Sequence, residues 1–320
     1  MKVLVTGAGG MVGSHMVEMM YEEGIEVIGT YYKPTTDITE LNPNITMIEC
    51  DVRYASSVEK IIVENMPDEI YHLAAQSYPT VSWDRPYETM DTNINGTVAV
   101  FEAVKKARLI NKDYDPVVVV ACSSAEYGAT LDKLTEPKVK EDAELLPLHP
   151  YGVSKTGQDL LAHQYYANDR IKSIRARIFN TTGTRKVNDV TSDFTKRAVE
   201  QEKMGVDKPV LRVGNIETKR AIMDFKDLIN ALRLLAKKGK YGEAYNISSE
   251  RAYLIKEIIE AIEEEMGIKF ELSVDQKLLR PTDEKIIIGD VTKLKNDTGW
   301  LQQVPIRQTV KEMIEYWRKK

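Results

Sequence analysis

Cysteine is scarce in this chain of 320 residues: there are two, Cys50 and Cys122, each at the end of an apolar run. That placement suits buried free thiols in a reducing compartment better than a disulfide. No CxxC or HxxxH pair occurs and the four histidines are scattered, so no metal is expected. No apolar run approaches the ~18 residues a spanning helix needs. No basic segment followed by an apolar one precedes the first strand, so neither a signal peptide nor a membrane anchor is expected, and a cytoplasmic location is. A basic excess is also missing, with 44 Lys and Arg against 49 Asp and Glu, a net charge of −5. That argues against a general nucleic-acid binder, although local basic patches could still hold phosphates. Repeats and low-complexity tracts are absent. What remains is an ordinary globular composition, 42% hydrophobic and 29% charged. The length suits one large α/β unit with an appendage, or two intimate domains.

The first segment carries the first positive signal. A β-branched run from Lys2 to Thr6 leads directly into Gly7-Ala8-Gly9-Gly10-Met11-Val12-Gly13 and then a helical pattern through Met16, Met19 and Met20. Strand, glycine turn and helix form the opening unit of a dinucleotide-binding fold. Gly7 permits the tight turn, Gly10 lets backbone approach a pyrophosphate, and Gly13 lets the helix pack on the strand. Met11 and Val12 lie at the helix N-terminus, which faces the phosphates. An acid is lacking where it would be diagnostic. The second strand, Glu26 to Tyr31, runs into Tyr32-Lys33 instead of the Asp or Glu that binds the ribose hydroxyls of NAD. A lysine there favours NADP over NAD. Asp51 and Val52 follow the third strand as adenine contacts. Leu73, Ala74 and Ala75 follow the fourth, small enough for backbone to lie along a cofactor. The fifth, Pro116 to Cys122, is the most apolar and belongs in the middle of a parallel sheet.

The fifth strand ends in Ser123-Ser124-Ala125-Glu126-Tyr127-Gly128, and Tyr151-Gly152-Val153-Ser154-Lys155 follows. On a helix, Tyr151 and Lys155 at i and i+4 share a face. A free phenol has a pKa near ~10, and a neighbouring ammonium lowers it. Such a pair can exchange a proton with an alcohol or sugar hydroxyl while hydride moves to or from the same carbon.

Taken in order, GxxGxxG, LAAQS, NxxGT, the strand-end Ser-Ser and YxxxK resemble the extended short-chain dehydrogenase/reductase family. The resemblance implies an α/β fold: a Rossmann-type doubly wound parallel sheet over residues 1–178, with a return segment near 215–247. A smaller α/β nucleotide-sugar domain occupies most of 179–320. It also implies that Tyr151 is the acid/base, that Lys155 lowers its pKa and holds the nicotinamide ribose, and that Ser124 orients the substrate hydroxyl. Family members pair through the helices following Asn93 and Tyr151, so a homodimer, or a tetramer, is expected.

The second half is similar to the members that act on GDP-sugars, both 4,6-dehydratases and 4-keto-6-deoxy-sugar reductases. The strings that carry this are AAQSYPTVSWDRP, RIFNTTG, VTSDFTKRAV, VGNIETKR and RPTDEKIIIGDVTKLKNDTGW. They imply substrate contacts from Ser77, Asn180, Arg185, Val190, Lys196, Arg220 and Arg280, the guanidinium groups suiting a diphosphate. In the dehydratases a glutamate near the strand-end hydroxyl removes the C5 proton. Counting forward from Ser124 names Glu126. Counting back from Tyr127-Gly128 places Ala125 there, a spacing the reductases share. The forward count gives a GDP-mannose-type 4,6-dehydratase; reduction of a 4-keto sugar, C4 epimerisation and a non-catalytic NADP sensor are the alternatives.

Overall fold

The computed structural model describes residues 1–134, 138–276 and 288–320. Seven parallel strands form the central sheet: β1 (Lys2–Thr6), β2 (Glu26–Tyr31), β3 (Thr46–Glu49), β4 (Glu69–His72), β5 (Val117–Ser123), β6 (Lys172–Ile178) and β7 (Ala244–Ile247). Their spatial order is β7-β6-β5-β4-β1-β2-β3, so the chain winds outward in both directions from the β1–β4 pair. Ligands of such sheets bind outside the carboxyl ends of the strands at that reversal. The Gly7 turn and the Leu73–Ala75 segment lie there. β4 is buried along its whole length and β5 in all but its first residue, which explains the uninterrupted VVVVAC run: both faces of a parallel sheet are covered.

One face is covered by the helices Met11–Glu22 and Phe225–Lys238, through Met16, Met20, Leu228, Leu232 and Leu235. The other is covered by Ala55–Asn65, Gly96–Ile110 and Pro150–Asp169. Here Phe101 stacks on Tyr165 with ring centroids 4.6 Å apart. That contact fixes the helix bearing Tyr151 against its neighbour, and removing a buried ring of this size costs about 3–5 kcal/mol. The helix Phe225–Lys238 and strand β7 therefore belong to the sheet unit although they follow segments of the second unit. β7 extends the sheet by pairing with β6 from Ala244↔Arg175 to Ile247↔Ile178.

A second apolar core lies outside the sheet. Phe194, Leu211, Ile258, Ile262, Val310 and Ile314 bring together the helices Val190–Lys203, Ile255–Met266 and Ile306–Lys319 and the strand Val210–Val213. That strand pairs in parallel with Glu271–Val274, so this smaller unit is also α/β. Both cysteines are free and buried. Among the described residues, no helix is long and apolar enough to cross a membrane.

Candidate active site

The glycine turn has the geometry that its spacing requires. Gly7 has φ +74°, and a Cβ there would lie 2.7 Å from the Ala74 nitrogen; one at Gly13 would lie 2.4 Å from the Gly7 carbonyl. Gly10 is different, because its nearest protein neighbour would be 3.4 Å away. Among the described residues, protein packing does not exclude a side chain at Gly10. Gly10 is also the N-cap of the helix Met11–Glu22 and no side chain caps it, leaving first-turn N–H groups of the Met11–Gly13 segment for an anion. The Thr6 hydroxyl accepts from the Ala74 N–H at 3.2 Å, tying the turn to the Leu73–Ala75 segment. These residues fit a dinucleotide.

Beyond β2, Lys33 has φ +45°, and its ammonium lies 5.1 Å from the Tyr32 ring centre. Arg53 lies over the same ring at 5.7 Å and grips Asp51 with two nitrogens, Nε at 3.0 Å and Nη2 at 2.6 Å. Burial pushes the Asp51 carboxyl up, but the bonds and charge of Arg53, with Lys33, hold it below the usual carboxylate range. Asp51 therefore spends its oxygens on Arg53, and Val52 is buried, close enough that a side chain on Gly96 would meet it at 2.7 Å. The sequence reading missed Arg53. The signal was there: Asp51-x-Arg53 follows the strand directly, and the Arg53 N–H closes a turn onto Asp51 Oδ1 at 3.1 Å.

The helix Pro150–Asp169 starts with proline at its first position and His149 as its cap, the imidazole accepting from the Gly152 N–H at 3.0 Å. Tyr151 thus stands in the first turn. Lys155, only 3% exposed, donates to the Ala121 carbonyl of β5 at 2.8 Å, with its ammonium 5.8 Å from the Tyr151 ring centre. Of the two serines, Ser123 is the one whose side chain bears on the Tyr151 phenol, favouring its ionised form. Ser123 is both the last residue of β5 and the cap of the 3-10 turn Ser124–Glu126, its hydroxyl accepting from the Ala125 N–H at 3.2 Å. Burial pushes the Tyr151 phenol up to about 12, opposed by the Ser123 bond and reinforced by the charges of Glu126 and Cys122. The shift runs opposite to the lowering expected from Lys155, whose ammonium is turned to the Ala121 carbonyl. Burial brings Lys155 itself down to about 8, against the charges of Cys122 and Glu126.

Glu126 is fully buried. Its Oε1 accepts from the Ser123 N–H at 2.7 Å, and its Oε2 lies 3.5 Å from Arg177 without a hydrogen bond. Burial and the charge of Asp159 raise its carboxyl well above the ordinary value. Asn93, the first residue of NxxGT, sits in a π-helical segment, Asp91–Asn95. Its side chain bonds the Gln76 backbone on both sides and the Ser154 hydroxyl at 2.8 Å, and Ser154 donates to the Tyr151 carbonyl. The Gln76 loop and the Tyr151 helix are therefore locked together.

The expected substrate residues separate. Asn180 is exposed at the end of β6, and its carbonyl accepts from the Met223 N–H at 3.0 Å, which brings the Arg220 segment alongside. Ser77 is exposed and Val190 starts its helix. Arg185 instead bonds Glu18 at 2.5 Å and faces Glu40 at 3.5 Å, joining the two units. Lys196 stands over the Trp317 ring at 5.4 Å and near Glu200, on the outer side of its helix. Arg280 lies outside the described residues.

The profile of the GDP-mannose 4,6 dehydratase family matches residues 4–313. GDP-mannose 4,6 dehydratase 1 of Arabidopsis thaliana is 28% identical over 98% of this chain and 88% of its own. GDP-6-deoxy-D-mannose reductase of Pseudomonas aeruginosa is 26% identical over 79% of this chain and 81% of its own. The structure of RMD from Pseudomonas aeruginosa, complexed with NADPH, shares the fold at a TM-score of 0.82 and 23% identity, covering 99% of both chains. The doubly wound sheet expected from the sequence is thus present. The chain belongs to the GDP-mannose 4,6-dehydratase family, as a nucleotide-sugar-modifying enzyme of the dehydratase or reductase kind.

Proposed function

We propose that this enzyme carries out oxidation or reduction at C4 of a GDP-hexose, with Tyr151 moving the proton at the C4 oxygen. The observation that carries this is the placement of Tyr151 in the first turn of its helix beside the carboxyl end of β5, with Lys155 on the same helix face bonded to the Ala121 carbonyl. When bound, the nicotinamide supplies the two-electron carrier. Ser123 orients the sugar hydroxyl. A phenol raised to about 12 is protonated at neutral pH, the form that donates to a C4 ketone. In the oxidative direction, Lys155 stabilises the phenolate once the site is filled. NADP is the favoured cofactor, because Lys33 and Arg53 bracket Tyr32 beyond β2 and that segment offers no carboxylate for ribose hydroxyls. Asn180, Arg220 and Ser77 are the contacts proposed for the nucleotide sugar.

Two outcomes follow from this shared step. The 4,6-dehydratase outcome has the family match over residues 4–313 in its support. It requires Glu126 to remove the C5 proton so that water leaves C6. The reductase outcome is favoured by a specific observation: Glu126 is fully buried and caps the turn onto Ser123, while Ala125 occupies the position two before Tyr127. Purified enzyme given GDP-mannose without added cofactor makes a 4-keto-6-deoxy sugar under the first outcome. Under the second it leaves GDP-mannose untouched and oxidises NADPH when given that keto sugar. Activity on neither sugar overturns the proposal.

A further inference from the structure

Arg177 occupies the penultimate position of β6, level with Cys122 of β5, and none of the roles above uses it. Its guanidinium is 4% exposed and reaches both elements that carry the proposed chemistry. Nε donates to Asp159 Oδ2 at 2.9 Å and lies 3.5 Å from Glu126 Oε2; Nη1 donates to the Tyr127 hydroxyl at 3.0 Å and to the Glu141 carbonyl at 2.8 Å. Asp159 follows Tyr151 and Lys155 at the next i+4 step, so the three share one face of the helix. Glu126 and Tyr127 belong to the turn that begins at Ser123. Cys122, Glu126 and Asp159 place ligand atoms within 4.8 Å of one another. They do not make a metal site, because the Asp159 oxygens go to Arg175 and Arg177 and one Glu126 oxygen to Ser123.

We infer that Arg177 is a positioning residue for the reaction: bonded to Asp159 on one side and Tyr127 on the other, it sets the distance between the Ser123 hydroxyl and the Tyr151 phenol. This rests on the reading of Tyr151 and Ser123 given above. Lysine cannot replace it, because a point charge lacks the planar fork that reaches Asp159 and Tyr127 at once. Arg175 supplies an internal control. It also bonds Asp159, at 2.7 Å, but its other bond is to the Gly242 carbonyl, away from the Ser123 turn.

The test compares Arg177→Lys, Tyr127→Phe and Arg175→Lys for kcat and KM on whichever sugar the wild type converts. NADPH affinity and thermal midpoint are measured in parallel. Misplacement of reacting groups by about 1 Å costs on the order of 100-fold. Arg177→Lys and Tyr127→Phe are therefore expected to lower kcat by about 10- to 100-fold with KM and NADPH affinity within about threefold. Arg175→Lys is expected to lower the thermal midpoint and leave kcat within about twofold. Tyr127→Phe removes a single hydroxyl and decides the matter alone if Arg177→Lys does not fold. Unchanged kcat in the folded variants, or an equal loss in Arg175→Lys, overturns the inference while an inactive Tyr151→Phe leaves the site reading standing. Equal turnover by wild type and Tyr151→Phe removes the site reading, and this inference with it.

Discussion

Lys155 donates its ammonium to the Ala121 carbonyl at 2.8 Å, so the helix carrying the phenol is pinned to the strand that ends at Ser123. Burial holds Lys155 at about 8 against an ordinary 10.5. Between those values the unfolded chain binds a proton that the folded chain lacks, so this group's contribution to stability rises with pH across the window. Lys155→Met lacks the group. The difference in unfolding free energy between wild type and Lys155→Met, free of cofactor, should move by about 3 kcal/mol in favour of wild type from pH 7 to 10.5. Urea unfolding at the two pH values checks this, and a constant difference would mean that Lys155 is not held down by burial.

Ser123 and Ser124 are adjacent, and the structure separates them. Ser123 ends β5 and caps the turn, whereas Ser124 starts it. Ser123→Ala should lower kcat by about 10- to 100-fold, and Ser124→Ala should leave it within about threefold. Steady-state kinetics on both variants checks this; the reverse order would restore Ser124 to the role the sequence suggested.

Glu126→Gln keeps the size of the side chain and an oxygen for the Ser123 N–H. If Glu126 serves the turn, C4 reduction of a 4-keto-6-deoxy GDP-sugar stays within about threefold of wild type. Loss of about 100-fold or more in 4-keto product formed from GDP-mannose would give Glu126 the proton-removing role instead.

Arg53→Ala and Lys33→Ala should each weaken NADPH binding by about tenfold, the scale of one charge-assisted contact to a phosphate, and NADH binding by no more than about threefold. Fluorescence titration of both cofactors measures the ratio. Equal weakening of NADH and NADPH would mean that these cations do not distinguish a 2′-phosphate.

Much of the site was legible because it is local. The Gly7–Gly13 turn, the apolar β5 and the Tyr151–Lys155 face are each fixed by spacing over a few residues, and each appears where it was expected. The choice between Ser123 and Ser124 depends on where the strand stops and the 3-10 turn starts, and the sequence does not fix that to one residue: β5 ends at Ser123, not Ser124. The second half was less legible because its cations are partnered across the fold. Arg185 is 167 positions from Glu18, and Lys196 meets Trp317 on the last helix. Spacing cannot reveal such pairings. Arg177 was hidden for the same reason, since its partners Tyr127, Glu141 and Asp159 come from three separate segments.

Tyr151 is the residue proposed to move the proton at the C4 oxygen. The most direct test of that role is turnover by Tyr151→Phe on whichever of GDP-mannose and its 4-keto-6-deoxy derivative the wild type converts, with NADPH affinity measured on the same preparation. The expected result is a loss of at least ~100-fold in kcat, the lower end of what acid/base catalysis supplies, with NADPH affinity within about threefold of wild type. Near-normal turnover by the folded, cofactor-binding variant would contradict it.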